Sequence, residues 1–318
     1  MTRAISRAAG DAWPPLPLAE WVDTYATLHM WTQVVGKIRL ARAPLVNHWW
    51  NVTLYVTPRG LTTGTMPHGR EALRIDFDFF DHRLEIATSR GGGFATPLAP
   101  RSVADFHRAV MRGLDDLGMP VRIWTQPQEV DGIAFELDET HASYDPDAAH
   151  RLWRILVQCD RVMTEFRSRF LGKASPVHFF WGAFDMAVTR FSGRTAPAHP
   201  GAPFMATWVA REAYSHECSS CGFWPGGGPV PEPVFYSYTY PEPAGFRDWP
   251  VAPAEAYFST AMSEYLLPYD AVRAAADPDA ALLAFFQSTY EAGAGPGGWD
   301  REALERDADP GHPSPGSS

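Results

Sequence analysis

The sequence predicts an α+β fold: an internally duplicated unit of helix, antiparallel strands and helix, with the two halves related by a pseudo-two-fold axis. Three observations carry that expectation. Four segments place apolar residues at helical spacing between helix-start and helix-stop residues. Between them the apolar period drops to two, as in strands with one buried face. The halves also resemble each other, since "GKIRLARAPLVNHWWNVTLYVTPRG" and "GKASPVHFFWGAFDMAVTRFSG" each follow a long helix. Both runs proceed Gly-Lys, Pro, Val, His, aromatics, Val-Thr and a glycine turn. The period is about 130 residues, too long for a solenoid.

The first helix is expected from about Leu18 to Leu40, with Trp21, Tyr25, Leu28, Val35 and Ile38 on one side and Pro44 beyond its end. "NVTLYVT" (51–57) alternates as a strand. "LRIDFDFFDHRLEI" (73–86) alternates, turns at Asp81-His82 and returns as a hairpin. Asp76 and Asp78 fall opposite the phenylalanines and read as a solvated strand face. The second helix opens with a capping box at Ser102 and Asp105, carries Val103, Phe106, Val110, Leu114 and Leu117, and stops at Gly118. The third opens at Asp145-Pro146, an N-cap before a proline, and carries Leu152, Leu156, Cys159, Met163, Phe166 and Phe170 up to Gly172. "FDMAVTRF" (184–191) and "FYSYTY" (235–240) are strands. The fourth helix opens at Asp277-Pro278 and ends at Gly293. These elements divide the chain into halves at 13–140 and 141–294. Residues 1–12 and 295–318, rich in Gly, Pro, Ser and charge, are expected to be disordered tails.

The chain has 318 residues, 45% apolar and 20% charged, which is enough for a packed core. A net charge of −10 without any Lys/Arg-rich run argues against nucleic acid and against a membrane surface. No apolar run approaches the roughly 20 residues of a spanning helix. Three cysteines make no disulfide framework, and with no apolar leader the expected location is the cytoplasm.

The stretch "YSHECSSCGFWPGGG" (214–228) is chemically the richest. A structural zinc site would need four donors, and His216, Cys218 and Cys221 offer three. A redox dithiol belongs at a helix start, and a phosphate loop needs a lysine after its glycines; this run has neither. The expectation is a loop shaped by glycine and proline, entered through a short helix, with the His216-Glu217 pair as acid/base or ligand candidates. His48 and His178 precede aromatic clusters at matching places in the proposed repeat. A lone histidine beside aromatics is more often a core residue bonded to a carbonyl; a related pair can face a shared cleft.

Together, "WVDTYATLHMWTQVVGK", "NHWWNVTLYVTPRGLTT", "DFDFFDHRL", "SPVHFFWGAFDMAVTRFSGR" and "EAYSHECSSCGFWPGGG" resemble an uncharacterised bacterial family of unknown function, DUF5996. The resemblance runs from about Trp13 to Glu302. It implies a soluble bacterial protein and brings no activity, cofactor or catalytic residue. Its pattern keeps the His-Glu pair without requiring the two cysteines, which weakens a C-x-x-C chemistry.

The functional expectation is a small-molecule enzyme whose pocket lies between the halves. His216, Glu217 and His178 are the catalytic candidates. His48, His178, His216 and Glu217 are the metal candidates, with Asp185 as an outside member, and iron, manganese or zinc would suit such donors in an oxidoreductase or lyase. Trp49, Trp181, Phe223 and Trp224 are the expected walls, and Arg190, with Arg194, the anchor for a substrate carboxylate or phosphate. The alternative is a non-catalytic binder of small molecules, for which 12 tryptophans supply aromatic walls. A third reading is an interaction scaffold with exposed aromatics.

Overall fold

Capping chemistry starts three helices where the sequence places them. Ser102 accepts a hydrogen bond from the Asp105 N–H at 3.2 Å and opens α2 (Val103–Asp116). Asp145 accepts from the Asp147 N–H at 2.9 Å ahead of α3 (Pro146–Ser168), and Asp277 from the Ala280 N–H at 3.0 Å ahead of α6 (Pro278–Ala294). Each bond satisfies an N–H that the helix itself leaves unpaired. The first helix, α1 (Val22–Arg42), follows a 3-10 turn at Leu18–Glu20. It is not a surface helix with one apolar stripe: Gln33, Lys37 and Arg39 are buried along with Trp31 and Val34. A helix buried all round belongs to the interior.

The computed structural model describes residues 12–202 and 205–306. Among them are seven α-helices and two antiparallel six-stranded sheets, an α+β architecture. The first sheet comprises β1 (Tyr55–Thr57), β2 (Gly60–Thr62), β3 (Met66–His68), β4 (Glu71–Asp78), β5 (Arg83–Thr88) and β6 (Gly93–Pro97), in the order β1-β2-β4-β5-β6 with β3 also on β4. The second comprises β7 (His178–Phe180), β8 (Asp185–Thr195), β9 (His216–Trp224), β10 (Val234–Tyr240), β11 (Tyr257–Ser259) and β12 (Glu264–Pro268), in the order β11-β12-β10-β9-β8-β7. Three short helices complete the chain: α4 (Thr207–Ala213), α5 (Tyr269–Ala274) and α7 (Arg301–Leu304).

The halves share a broad order of elements, long helix, six strands, further helix, although α4 interrupts the strands of the second and α5 precedes α6. Their sheets meet edge to edge, where Leu54 and Phe179 exchange two backbone hydrogen bonds of 2.9 and 2.8 Å. The strand orders differ, however, and the matched Gly-Lys pairs differ in setting: Gly36-Lys37 lies inside α1 and Gly172-Lys173 beyond α3. One continuous buried cluster runs from Trp13 to Trp299, so the halves share a core. Trp13 packs on Phe235 and Tyr269 of the second half, and Trp31 stacks on Phe106 at 4.7 Å in the first.

Four local expectations change. The stretch 214–228 is not mainly a loop: β9 takes nine of its residues and is an interior strand between β8 and β10. Its Cys, Ser and Gly residues are small enough to be covered on both faces. Asp78 is not solvated, because it accepts from the N–H groups of Phe80 and Asp81 at 2.8 and 3.0 Å and from Arg59 at 2.7 Å, holding the 78–81 turn. The strand expected over 51–57 is shorter, because residues 47–49 form a 3-10 turn with His48 and Trp49 at positive φ (57° and 62°). Finally, residues 295–306 are packed, with Trp299 against Tyr290 and Glu305 accepting from the Tyr290 hydroxyl at 2.9 Å. The expected tail residues 1–11 and 307–318 lie outside the described residues.

Candidate functional site

Two cavities, of about 680 and 600 Å³, lie on the face of the second sheet turned away from α3 and α6. Four residues line both: Glu129, Ala183, Asp185 and Tyr236. The larger cavity continues past Tyr25 and His29 of α1, Trp224, the Gly227–Pro229 turn and Glu264. The smaller is walled by Trp49, Trp50, Trp124, Trp181 and Trp208, with Tyr214 and Tyr238. Their common boundary is the floor of one cleft, built by segments from both halves of the chain.

The floor is made by small residues. Register pairs Gly222 of β9 with Ala187 of β8 on one side and Tyr236 of β10 on the other. A Cβ on Gly222 would collide with the Met186 carbonyl oxygen and the Tyr236 hydroxyl. Without it the Tyr236 ring lies across the strand, and its hydroxyl donates to Asp185 Oδ2 and lies 3.2 Å from the Met186 carbonyl oxygen.

Three carboxyl groups, Asp185, Glu129 and Glu264, face this cleft, and among the described residues no lysine or arginine lines it. Burial pushes Asp185 up to about 7 from its ordinary 3.8; the Tyr236 hydrogen bond opposes this and the Glu129 charge adds to it. Burial, then the Asp185 charge, pushes Glu264 up to about 8. Burial also raises Glu129. All three sit deep in the protein yet keep some accessible surface, because they face the cavities rather than solid core. Asp185 and Glu264 are therefore protonated for part of the time near neutral pH, as a general acid or base must be.

Backbone strain gathers around them. Six described non-glycine residues have positive φ, and five border this cleft: His48, Trp49 and Glu129 on its walls, Phe184 just before Asp185, and Ser263 just before Glu264. Such conformations persist only where the surroundings enforce them. For Glu129 the enforcement is visible. Gln33 of α1 accepts from the Gln128 N–H at 2.7 Å and donates to the Gln128 carbonyl at 2.8 Å, clamping the preceding peptide. His29 Nε2 donates to the Gly182 carbonyl oxygen at 2.8 Å. Burial holds that imidazole down at about 4, hence neutral.

The residues expected from sequence divide between the cleft and the core. Trp49, Trp181 and Trp224 are walls. Trp49 Nε1 donates to the Val209 carbonyl at 3.1 Å and Trp181 Nε1 to that of Val52 at 2.7 Å, so both rings are fixed. Phe223 lies on the opposite face of β9, in the core against Phe235 and Tyr269. Arg190 is also in the core, its guanidinium over the Phe166 ring and donating to the Phe166 carbonyl, so it is no substrate anchor. Arg194 pairs with Glu217 at 2.6 Å.

The histidines do not assemble as expected. His48 lines the aromatic cavity, but Nδ1 donates to the Ala213 carbonyl at 2.8 Å and Nε2 accepts from Lys173 Nζ at 2.7 Å, leaving neither free. His216 stands beside it, ring to ring at 5.6 Å. Strand alternation puts Glu217 on the other face of β9, held by Arg194 and Ser192, so the His216-Glu217 pair is split. His178 is wholly buried among Trp50, Tyr55 and Phe180, and burial holds it down at about 3; it lines neither cavity. Among the described residues no group of three or more His, Cys, Asp or Glu side chains is placed to hold a metal ion. His48, His178, His216 and Glu217 therefore do not fit the expected centre. Cys218 faces the cleft and Cys221 the core, three residues apart on one strand, which does not suit a dithiol.

Sequence reasoning missed Glu129, Glu264 and Tyr236. The stripe Tyr236, Tyr238, Tyr240 was a usable signal, since three hydroxyls on one strand face imply a polar cavity. The loop "QPQEVDG" around Glu129 carries no such signal.

An α+β protein with an aromatic-walled, carboxylate-floored cleft is the class these features define. Residues 13–306 match the model of a family described as a family of unknown function, DUF5996, and the chain belongs to that family. No curated protein and no solved structure matches the chain.

Proposed function

We propose that the protein is a small-molecule enzyme working by acid–base chemistry in this cleft, without the histidine–metal centre expected from sequence. The observation that carries the reading is the Asp185 carboxyl: it titrates near neutral pH, bonds the Tyr236 hydroxyl and borders both cavities. In its protonated form it donates to a leaving or developing anionic atom; ionised, it removes a proton. Glu129 faces the same volume, so one carboxyl can give a proton while the other takes one, as isomerisations and eliminations require. The aromatic walls exclude water and orient the apolar part of the substrate.

The test is untargeted. Purified protein is incubated with a metabolite extract and the mixture is followed by mass spectrometry beside Asp185→Asn. We expect at least one compound consumed by the wild type and its consumption slowed about a hundredfold or more in the variant. Equal consumption by the variant would remove Asp185 from the chemistry.

A second reading, a non-catalytic binder, is favoured by one feature: the aromatic side chains converge while the histidines do not. It predicts a compound that co-purifies with the protein and is returned unchanged.

A further inference from the structure

Among the described residues, no lysine or arginine lines either cavity. The anionic groups on the walls are Glu129, Asp131, Asp185 and Glu264. The three lining histidines are engaged elsewhere: His29 with Gly182, His48 with Ala213 and Lys173, and His141 with Asp138 at 2.7 Å. Glu129 is more than one of an acidic cluster. It is largely enclosed, faces both cavities, and its carboxylate has no hydrogen-bond or ion-pair partner among the described residues. A folded chain keeps such a group at a cost unless something else completes it.

The walls supply the complementary half. Trp49, Trp124, Trp181 and Trp208 surround one side, Tyr25 and Trp224 the other. Aromatic faces attract cations through the ring quadrupole, most strongly where water is scarce. Lys37 already uses this wall from outside the cavity, with Nζ 4.8 Å from the Trp124 ring centroid and 6.0 Å from that of Trp181. An anionic ligand would meet carboxyl groups with no compensating charge, and a neutral one could hydrogen-bond Glu129 but not balance its charge.

We infer that the ligand of the cleft is a small organic cation, a protonated amine or quaternary ammonium, with its charge between Glu129 and Asp185 and its apolar part against the tryptophans. This rests on the cleft being the working site and does not depend on turnover. A bound cation draws protons off the carboxyls. Asp185, facing Tyr236, Glu129, Tyr25 and Glu264, ionises at lower pH than Glu264, so binding at neutral pH releases protons and strengthens as pH rises through roughly 6 to 9.

The test is calorimetric titration of the full chain with benzyltrimethylammonium, benzyl alcohol and benzoate. The ammonium, whose own charge does not change with pH, is expected to bind at least about tenfold more tightly than the alcohol. Benzoate is expected not to bind, and the heat of ammonium binding should vary with buffer ionisation enthalpy. Glu129→Gln and Asp185→Asn, with circular dichroism as wild type, should lose the preference; the wild-type pH profile tests the same point without any variant. Equal affinities for ammonium and alcohol, or an affinity flat with pH, would overturn the cation while leaving the cleft a binding site. No binding of any of the three probes would overturn both.

Discussion

A carboxyl that titrates near neutrality opposes folding, and Asp185 and Glu264 both do so. Their folded-state values of about 7 and 8 lie above the ordinary 3.8 and 4.5. The folded chain therefore holds protons that the unfolded chain has released, and their contribution to stability is complete below about pH 4 and lost as pH rises through 7 to 8. Asp185→Asn, which keeps a partner for Tyr236, should raise stability at pH 8 by roughly 2–4 kcal/mol and change it little at pH 4, read by urea unfolding at the two values. A loss of stability at pH 8 would show that the carboxylate is held favourably. Gly222→Ala acts on the same spot by volume: its methyl group meets the Met186 carbonyl oxygen and the Tyr236 hydroxyl, and should cost about 2–3 kcal/mol in the same assay. Burial pushes the Cys218 thiol up to about 12 and raises Cys221 too. A thiol reagent at pH 8 should leave both unmodified in the native protein and modify them in urea; rapid native labelling would contradict their burial.

At the scale of elements, the site depends on how strands begin. Asp185 opens β8 and Glu264 opens β12, each one residue after a left-handed turn residue, so two hairpins bring carboxyls to the larger cavity. The third carboxyl comes from a loop clamped by α1. Gln33→Ala removes two hydrogen bonds to the backbone of Gln128 in a partly buried loop, which should cost about 2–4 kcal/mol. Hydrogen exchange at Gln128 and Glu129 should accelerate more than elsewhere. Unchanged exchange there would mean that other contacts fix the loop. The helices were legible because Ser102, Asp145-Pro146 and Asp277-Pro278 act locally, within one turn. β9 was misread because "HECSSCGFW" lacks alternation, and an interior strand covered on both faces has no reason to alternate.

Over the whole molecule, the two sheets are not independent. Trp13 reaches the second half, where the Tyr269 hydroxyl donates to the Pro14 carbonyl at 2.8 Å and Arg273 Nε to that of Trp13 at 3.1 Å. The cleft takes walls from both halves, so it exists only when they are docked. Unfolding should appear as one transition, with tryptophan fluorescence and far-ultraviolet circular dichroism superimposing; two separated transitions would indicate separable halves. Trp13→Ala should lower the midpoint for both probes together, at a cost of about 3–5 kcal/mol.

By itself the sequence determined the α+β class, the places where the three capped helices begin, several of the strands, and three of the tryptophans that wall the cleft, Trp49, Trp181 and Trp224. These follow from period, capping and composition, which act between residues near in the chain. Only the tertiary structure decided which polar groups work together. It split His216 from Glu217 across the two faces of β9, occupied both nitrogens of His48, sent Arg190 and Phe223 to the core, and gathered Glu129, Asp185, Tyr236 and Glu264 from four distant segments. The reason is physical: what a carboxyl or imidazole does depends on burial and on the charge beside it, and both are set by neighbours that chain order does not specify.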